Sequence, residues 1–501
     1  INKQKLIFWL IILVGILIRI YNFPVALHEM NSDEIMTAVN AKSIADTGKE
    51  LGGIDFPVYL QGWGGQSVVL LYLMSLSIKV IGYSLVAVRI PFIIVSIVSM
   101  FVFYDLLRKI GKSEKIALIG LALVSISPWH MLQSLWALDC NMFPHFLIMA
   151  IDMFYTGIKK NRNILTYISM IFFAITLYCY GVAIYFVPLF LVVIMLYLLK
   201  TKTLKIKNVA ICAVVFLIFA LPIITMFAIN VLNTKESIEL GIFTIPYYEG
   251  LSRTKDMIFF TPNKLQQLGE NISSTLKVIF IQTDGAEWNS SKAFGATYRI
   301  TILFTLIGLI RVIKNAKNKD FGSVMLLTWI SISILTGLVV NKTNINRLNS
   351  IWYVLLMLAA FGIYDIYERI KYKKTYKVVI TVVYTAIFIA YCIYFYSQYA
   401  SVVDNSGTFS RGFYQSLNYI KSMDETTVWY DNIKNDGCLS LYISFNKDNT
   451  KQYHCISNEE ELKEKIKNIG ENEVLILDVE FKQYENIKNS HQIGDFLIVT
   501  N

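Results

Sequence analysis

Apolar residues in this chain come in long unbroken runs, not in helical stripes or alternating strands. Runs of about 17–22 residues recur, each long enough to span ~30 Å of hydrocarbon at ~1.5 Å per residue. The polar stretches between them are of two kinds. Some are short and basic: Lys3/Lys5, Arg108-Lys109 with Lys112 and Lys115, Lys159-Lys160 with Arg162, Lys200 to Lys207, Arg311 to Lys319, and Arg369 to Lys377. The others are longer and mixed: Pro24–Ala87, Val231–Thr297 and the tail from Ser397.

Short basic loops mark the cytoplasmic side of a membrane protein. Placing all six clusters there requires an even number of crossings between neighbours. The spans are then Leu6–Phe23, Val88–Leu107, Ile116–Pro128, Asn141–Ile158, Ile164–Tyr180, Ala183–Leu199, Val209–Asn230, Tyr298–Ile313, Phe321–Val340, Leu348–Tyr367 and Val378–Tyr396. That makes about eleven, with the N-terminus inside and the C-terminus outside. Val68–Gly82 is apolar but short and contains Lys79. If it crossed, the Arg108–Lys115 cluster would land outside, so it is expected to lie along the outer surface as a juxtamembrane helix. The first run, Leu6–Phe23, has no small-residue cleavage site and reads as a retained span.

Composition agrees. Hydrophobic residues make up 55% of the chain and charged ones 16%, with a mean hydropathy of +0.51, whereas a soluble domain is about a quarter charged. The net charge of +10 sits in the short loops, so it reads as a topology signal and not as a nucleic-acid surface. The expected architecture is an all-α polytopic membrane domain over residues 1–398, with outer loops at 24–87 and 231–297. A small extracytoplasmic α/β domain over 399–501 follows it. In the tail, Thr426–Tyr430, Val474–Val479 and Phe496–Thr500 read as strands, and Phe413–Met423 and Glu459–Ile469 as helices. Of six cysteines, Cys140, Cys179, Cys212 and Cys392 lie in or beside spans as apolar packing residues. Cys438 and Cys455 lie in the tail, where an exported domain permits a disulfide.

Candidate chemistry gathers at the expected outer ends of spans. The first outer loop opens His28-Glu29-Met30-Asn31-Ser32-Asp33-Glu34. Asp33 or Glu34 could take a proton from a hydroxyl nucleophile. Equally, Asn31 could cap a helix with Glu34 closing a capping box. Asp139 is a second acid, read either as a reactive carboxylate or as a cap. His130, in Ser127-Pro128-Trp129-His130, reads as an interfacial hydrogen-bonding residue. With five histidines and no His/Cys cluster, a zinc site is not expected. Arg89 and Arg347 could each hold a phosphate through paired hydrogen bonds, or snorkel to lipid headgroups.

These segments together resemble a GT-C glycosyltransferase of the family 39 type, which takes in protein O-mannosyltransferases and aminoarabinose transferases. The likeness spans roughly residues 1–370. It rests on Asp33-Glu34, on Gly82 through Arg89-Ile90-Pro91, on Ser127-Pro128-Trp129-His130 to Asp139, on Tyr178-Cys179-Tyr180-Gly181 and on Arg347-Leu348-Asn349. The resemblance implies transfer of a hexosyl or pentosyl group from a polyprenyl-phosphate carrier to a glycan, lipid or protein acceptor on the outer face of the plasma membrane, with inversion. It makes Asp33 the base, with Glu34 and Asp139 as catalytic acids. It makes Arg89 and Arg347, with His130, substrate-binding residues, and Arg347 the one near the lipid phosphate. It implies no obligatory cofactor, and the paired acids leave room for a divalent metal ion. Gln61-Gly62-Trp63-Gly64-Gly65-Gln66 replaces the Glu-Lys-Pro of aminoarabinose transferases, so the donor sugar does not carry over. Leu135 stands where close relatives often have arginine. The large insert of eukaryotic O-mannosyltransferases is absent, so a protein acceptor is not implied. The competing readings are a lipid or polysaccharide transporter, which would show internal repeats and midplane polar sites, and a non-catalytic envelope-assembly protein.

The topology makes a direct prediction. A cysteine introduced at Lys79 is expected to react with a membrane-impermeant maleimide on intact cells, and one at Lys112 only after permeabilisation. Reaction at 112 without reaction at 79 would overturn the assignment.

Overall fold

The computed structural model describes residues 3–27, 29–251, 256–399, 402, 411–433, 438–446, 448–483, 487 and 489–501. His28, first in the loop motif, lies outside the described residues, and so does most of 400–410 around the expected domain boundary. Each expected span is a helix. The first is α1 (Lys3–Ile20); the helices α2 (Ser32–Thr47) and α3 (Val69–Ile81), between two expected spans, precede α4 (Leu85–Gly111). Then come α5 (Glu114–Ile126), α6 (Pro128–Leu135), α7 (Asp139–Lys159), α8 (Asn163–Thr176), α9 (Ala183–Lys200) and α10 (Ile206–Val231). A short hairpin, β1 (Ile238–Leu240) and β2 (Phe243–Ile245), and α11 (Lys264–Leu276) lie in the segment 231–297. The bundle closes with α12 (Thr301–Lys317), α13 (Phe321–Val339), α14 (Trp352–Arg369) and α15 (Lys373–Tyr394).

Among the described residues six helices are long and apolar enough to cross a bilayer, or seven if the bent pair α5–α6 is one span. The other expected spans are shorter or more charged. α8 has 14 residues and α12 has 17, while α1 carries Lys3, Lys5 and Arg19. The bend between α5 and α6 is 54°. It falls at Ser127, which is held extended (ψ 127°) ahead of Pro128, because the proline ring excludes the helical conformation from the residue before it.

Ion pairs show that the basic clusters share one end of the bundle. Lys109 binds Asp152 at 2.8 Å, joining the last turn of α4 to the C-terminal half of α7. Lys112 faces Asp320 ahead of α13, Arg311 binds Asp365, and Tyr197 donates to the Lys319 carbonyl. Near the start of α1, Phe8 packs on Tyr104, one turn before the Arg108 cluster. α3 does not run the length of the bundle. Ser67, just ahead of it, bonds Asp139 at the opposite end, and Gly82 leads within three residues into α4 at that same end. The helix therefore lies across the end of the bundle.

Two glycines let α12 and α14 touch backbone to backbone. A Cβ on Gly308 would stand 1.8 Å from the Leu358 carbonyl oxygen, and one on Gly362 would stand 1.9 Å from that of Phe304. Close approach through small residues is how helices associate where lipid removes the hydrophobic drive. The crossing fixes α14, whose first turn enters the polar centre described below.

A buried polar network joins the helices at the end opposite the basic clusters. Arg19 donates to the carbonyls of Gly15 at 2.7 Å and Ser125 at 3.1 Å, and to His130 Nδ1 at 2.6 Å. A guanidinium has no acceptor, so His130 Nδ1 carries no proton and Nε2 holds it. Nε2 faces Tyr353 Oη at 3.0 Å and Ser99 Oγ at 3.2 Å. His145 Nδ1 lies 2.8 Å from the same tyrosine oxygen. His130 is fully buried, a neutral partner of Arg19 inside the bundle. The expectation of an interfacial, substrate-binding histidine is corrected: both ring nitrogens are engaged by protein groups.

The tail forms a five-stranded sheet in the order β4-β3-β5-β7-β6. Its strands are β3 (Thr427–Asp431), β4 (Gln452–Ile456), β5 (Glu473–Asp478), β6 (Asn489–Ile493) and β7 (Phe496–Thr500). β4, β3 and β5 run parallel, and β7 and β6 are antiparallel additions. α16 (Arg411–Ile420) and α17 (Cys438–Asn446) cover one face, and α18 (Glu459–Lys467) covers the other. β5 is buried on both faces, Val474 and Ile476 to one side and Leu475 and Leu477 to the other, so it reads as a continuous apolar run. α17 docks the domain on α2. Tyr442 donates its hydroxyl proton to the Met30 carbonyl, and Phe445 packs edge-on against Tyr83 at 4.7 Å.

The expected Cys438–Cys455 pairing does not form. Both thiols are free, Cys438 buried in α17 and Cys455 exposed on β4. Burial, with the Asp33 carboxylate nearby, pushes the Cys438 thiol up to about 12. Cys455 is therefore expected to alkylate rapidly in the folded protein and Cys438 only after denaturation. Mass spectrometry after timed maleimide exposure would show this order, and equal rates would contradict the docking of α17.

Candidate active site

The site is built from the first turn of α2 outward. Asn31 is extended (φ −84°, ψ 176°), and its side chain accepts from the Glu34 backbone N–H at 2.8 Å. The cap predicted from the sequence is present. The capping box is not, because the Glu34 carboxylate turns to Arg89. Arg89 Nε donates to Oε1 and an Nη2 proton to Oε2, both at 2.8 Å. Arg89 also donates to the carbonyls of Pro24 at 2.7 Å and Glu29 at 2.9 Å. Both side chains are essentially inaccessible, at 1% and 0% exposure.

This corrects two expectations. Arg89 is not placed to meet a phosphate, because its guanidinium is committed to Glu34 and to loop carbonyls below the surface. Glu34 is not placed to take a substrate proton, because an arginine holds both of its oxygens. Together they clamp the loop after α1 onto α4. Glu34 Oε1 also accepts from the Ala137 N–H at 3.3 Å, which ties the loop to the α6–α7 junction.

That junction is the hub of the site. Asp139, the first residue of α7, accepts from the Cys140 N–H at 2.7 Å and from the Ser67 N–H at 3.0 Å. It is 8% exposed and braces the segment ahead of α3; it does not cap α7, whose N-cap is Leu138 with no side-chain cap bond. Asn349 donates to the Cys140 carbonyl at 3.0 Å and accepts from Gln133 at 2.5 Å and Trp129 at 3.2 Å. Arg347, two residues earlier, is thereby anchored over the start of α7. Its Nη2 donates to Asp256 at 2.8 Å and its Nη1 to the Asn341 carbonyl. It remains 19% exposed and Asp256 47%, so this ion pair is open to solvent.

Asp33 differs from the other two acids. It is half-buried, on the first turn of α2, with α17 of the tail beside it. Its backbone carbonyl accepts from Thr37 at 2.9 Å and from Gln66 at 3.3 Å. Gln66 also bonds Thr37 Oγ1 at 2.6 Å, locking the Gln61–Gln66 loop against α2. Beyond Arg347, an apolar groove of about 390 Å³ opens between α11, α12, α13 and α14, lined by Thr275, Ile279, Ile302, Leu306, Ile334 and Leu338. Among the described residues no three His, Cys, Asp or Glu side chains converge as metal ligands.

Sequence reasoning assigned no role to Asn349, Gln133, Ser67 or Asp256, although Asn349 stands in the Arg347-Leu348-Asn349 motif. The first three are neutral residues whose importance is their hydrogen bonds across elements, and no spacing rule signals that. Arg19 did carry a signal, a lone arginine inside an apolar run.

Comparison with known proteins supplies the frame. The family model for dolichyl-phosphate-mannose-protein mannosyltransferase matches residues 66–226. ArnT from Cupriavidus metallidurans, solved with undecaprenyl phosphate bound, superposes with a TM-score of 0.58 at 10% identity, over 98% of this chain and 97% of that one. The oligosaccharyltransferase of Archaeoglobus fulgidus superposes at 0.56 and 12% identity, over 96% of this chain and 70% of that one. Its complex with an inhibitory peptide and a dolichol-phosphate, named AglB, superposes at 0.55, at the same identity and over the same shares of the two chains. No curated protein matches the sequence. The chain has the GT-C fold. The resemblance read from dispersed loop motifs thus holds, and it holds for a multi-pass membrane protein with its polar residues gathered at one end. In this GT-C chain the matched segment includes Arg89 and Asp139, while Asp33 and Arg347 fall on either side of it.

The clamp predicts a stability signature. Arg89→Met is expected to lower stability by about 3–5 kcal/mol, because it leaves a buried unpaired carboxylate. Adding Glu34→Gln should restore part of the loss. Thermal unfolding of the purified protein in detergent would measure both, and additive losses would show that the two side chains are not coupled.

Proposed function

We propose that this protein transfers a sugar from a polyprenyl-phosphate carrier to an acceptor at the outer face of the membrane, with Asp33 as the general base. The observation that carries the reading is the sorting of the three acids. Arg89 holds Glu34, and Asp139 braces the backbone at Ser67 and Cys140. Asp33 alone of the three is half-buried. A GT-C fold in which two of the three candidate acids are structural leaves one to do proton chemistry.

The chemistry then follows. Asp33 orients an acceptor hydroxyl and takes its proton as the oxygen attacks the anomeric carbon. The bond from that carbon to the phosphate oxygen breaks, with inversion. The lipid phosphate leaves with added negative charge, and this charge must be stabilised. Arg347 is the arginine placed for it, since its present partner Asp256 is half-exposed and a phosphate can compete for the guanidinium. The apolar groove near Arg347 takes the polyprenyl tail. In this reading the tail domain faces outward, at the end opposite the basic clusters. Sugar, acceptor class and any divalent ion are assigned by assay.

In single-turnover transfer from polyprenyl-phosphate sugars, Asp33→Asn is expected to lower the rate by at least about 100-fold while leaving donor binding intact. Arg347→Ala is expected to weaken both donor binding and rate. Transfer by Asp33→Asn at the parent rate would overturn the catalytic assignment and leave the Asn31-to-Glu34 turn as a helix cap alone.

A further inference from the structure

The Gln61–Gln66 loop is built to present one side chain. Leu60 and Gln66 exchange two backbone hydrogen bonds, each 2.9 Å, which closes the five intervening residues into a hairpin tip. Three of those five are glycines with positive φ: Gly62 at 44°, Gly64 at 98° and Gly65 at 129°. Such angles strain any residue with a Cβ. The tip residue is Trp63. Its indole N–H donates to the Ser32 carbonyl at 3.3 Å, one residue from Asp33. Gln61 fastens the other side of the loop to the Glu249 carbonyl at 3.5 Å.

The result is an orientated and open aromatic ring. Trp63 is 37% exposed, and among the described residues no other aromatic ring packs on it. Tryptophan is mostly buried in proteins, so a glycine-built loop that holds one half-open beside the candidate base asks for an occupant. The indole polar edge is already used inward, on α2. What remains outward is an apolar π face. A pyranose has a matching surface, the patch of C–H groups on one side of its ring, which carry partial positive charge toward the negative face of the indole.

We infer that Trp63 is a stacking platform for a neutral pyranose ring, holding it against the Asp33 end of α2. This rests on the proposed transfer reaction for its meaning but not for its test. The ring could belong to the lipid-linked donor or to a glycan acceptor; the chemistry is the same. The alternative use of an exposed tryptophan at this level is to anchor in lipid headgroups.

The test is saturation-transfer NMR on the full chain in detergent. The probes are methyl pyranosides of glucose, mannose and galactose, and the same sugars linked to polyprenyl phosphate. The expected result is saturation of the C–H protons of one sugar face. Trp63→Leu, which keeps apolar bulk, should weaken this binding by about tenfold, while Trp63→Phe should hold it within about threefold. Weakened binding of the free glycosides identifies an acceptor ring, and weakened binding of the lipid-linked sugars alone identifies the donor; either supports the inference. Unchanged sugar binding in a folded Trp63→Leu overturns it, as does an equal weakening in Trp63→Phe. Normal sugar binding with transfer impaired only in lipid vesicles assigns Trp63 to lipid anchoring and also overturns it. Sugar binding that depends on Trp63 in a protein that transfers no sugar would leave the platform standing and sink the reaction.

Discussion

The polar end of this molecule depends on one buried ion pair. Arg89 and Glu34 are a full charge each, sealed from solvent beside an apolar bundle. Desolvating them is expensive, and only close geometry with further hydrogen bonds to both groups offsets it. The structure meets that condition. Both carboxylate oxygens are bound, and two loop carbonyls take further guanidinium donors. Because the pair joins residues 55 apart in sequence, it converts a loop that follows the first span into a fixed lid on α4. Everything later in the site is measured from that lid: Ala137 bonds to Glu34, Asp139 starts the next helix, and Asn349 brings the Arg347 loop onto Cys140.

The same logic explains how a second arginine is accommodated. Among the described residues no carboxylate accompanies Arg19 within hydrogen-bonding distance; its partners are two carbonyls and the lone pair of a neutral histidine. That choice propagates. With Nδ1 of His130 accepting, Nε2 must donate, and Tyr353 and Ser99 are drawn in. The network thereby reads out the positions of α1, α4, α6, α7 and α14 at one point. Charge inside an apolar bundle is tolerated here by two means, a tight pair and a neutral chain, and both act as registers between helices, the role best attested for buried polar groups.

Much of the fold was legible because hydrocarbon imposes one simple rule, that backbone must be satisfied within the helix. Every expected span is a helix, and the sharing of one end by the basic clusters follows from counting crossings. α3 was legible for a different reason: its short length, Lys79 and the charge balance argued against a crossing. In the tail, β3, β5 and β7 were visible as apolar runs. β4 and β6 were not, because edge strands such as Gln452–Ile456 and Asn489–Ile493 are largely exposed and carry no alternation. The site was legible by residue type more than by role. Asp33, Glu34, Arg89 and Asp139 do meet at one end of the bundle, but spacing could not tell which acid would be neutralised. That depends on Arg89 reaching back across the intervening loop and α3, a tertiary fact. Cys438 and Cys455 failed for a related reason. Shared polarity suggested a pair, while packing of α17 on α2 took one of them inside.

The geometry also explains why a tail domain should sit where it does. α2 is a short helix of nearly uniform polarity, with no strong apolar stripe to fix its rotation, and its first turn carries the acid on which the proposed chemistry rests. Arg89 holds that turn from below through Glu34. Gln66 and Trp63 hold its carbonyls from one side. Tyr442 and Phe445, from the tail, hold the approach to it from above through Met30 and Tyr83. Three separate parts of the chain therefore converge on a single helical turn, and each contributes directional hydrogen bonds in addition to burial. An isolated 16-residue helix is marginal in water on its own. Here its first turn is given a fixed orientation, with the Trp63 indole bonded to the Ser32 carbonyl, one residue from Asp33.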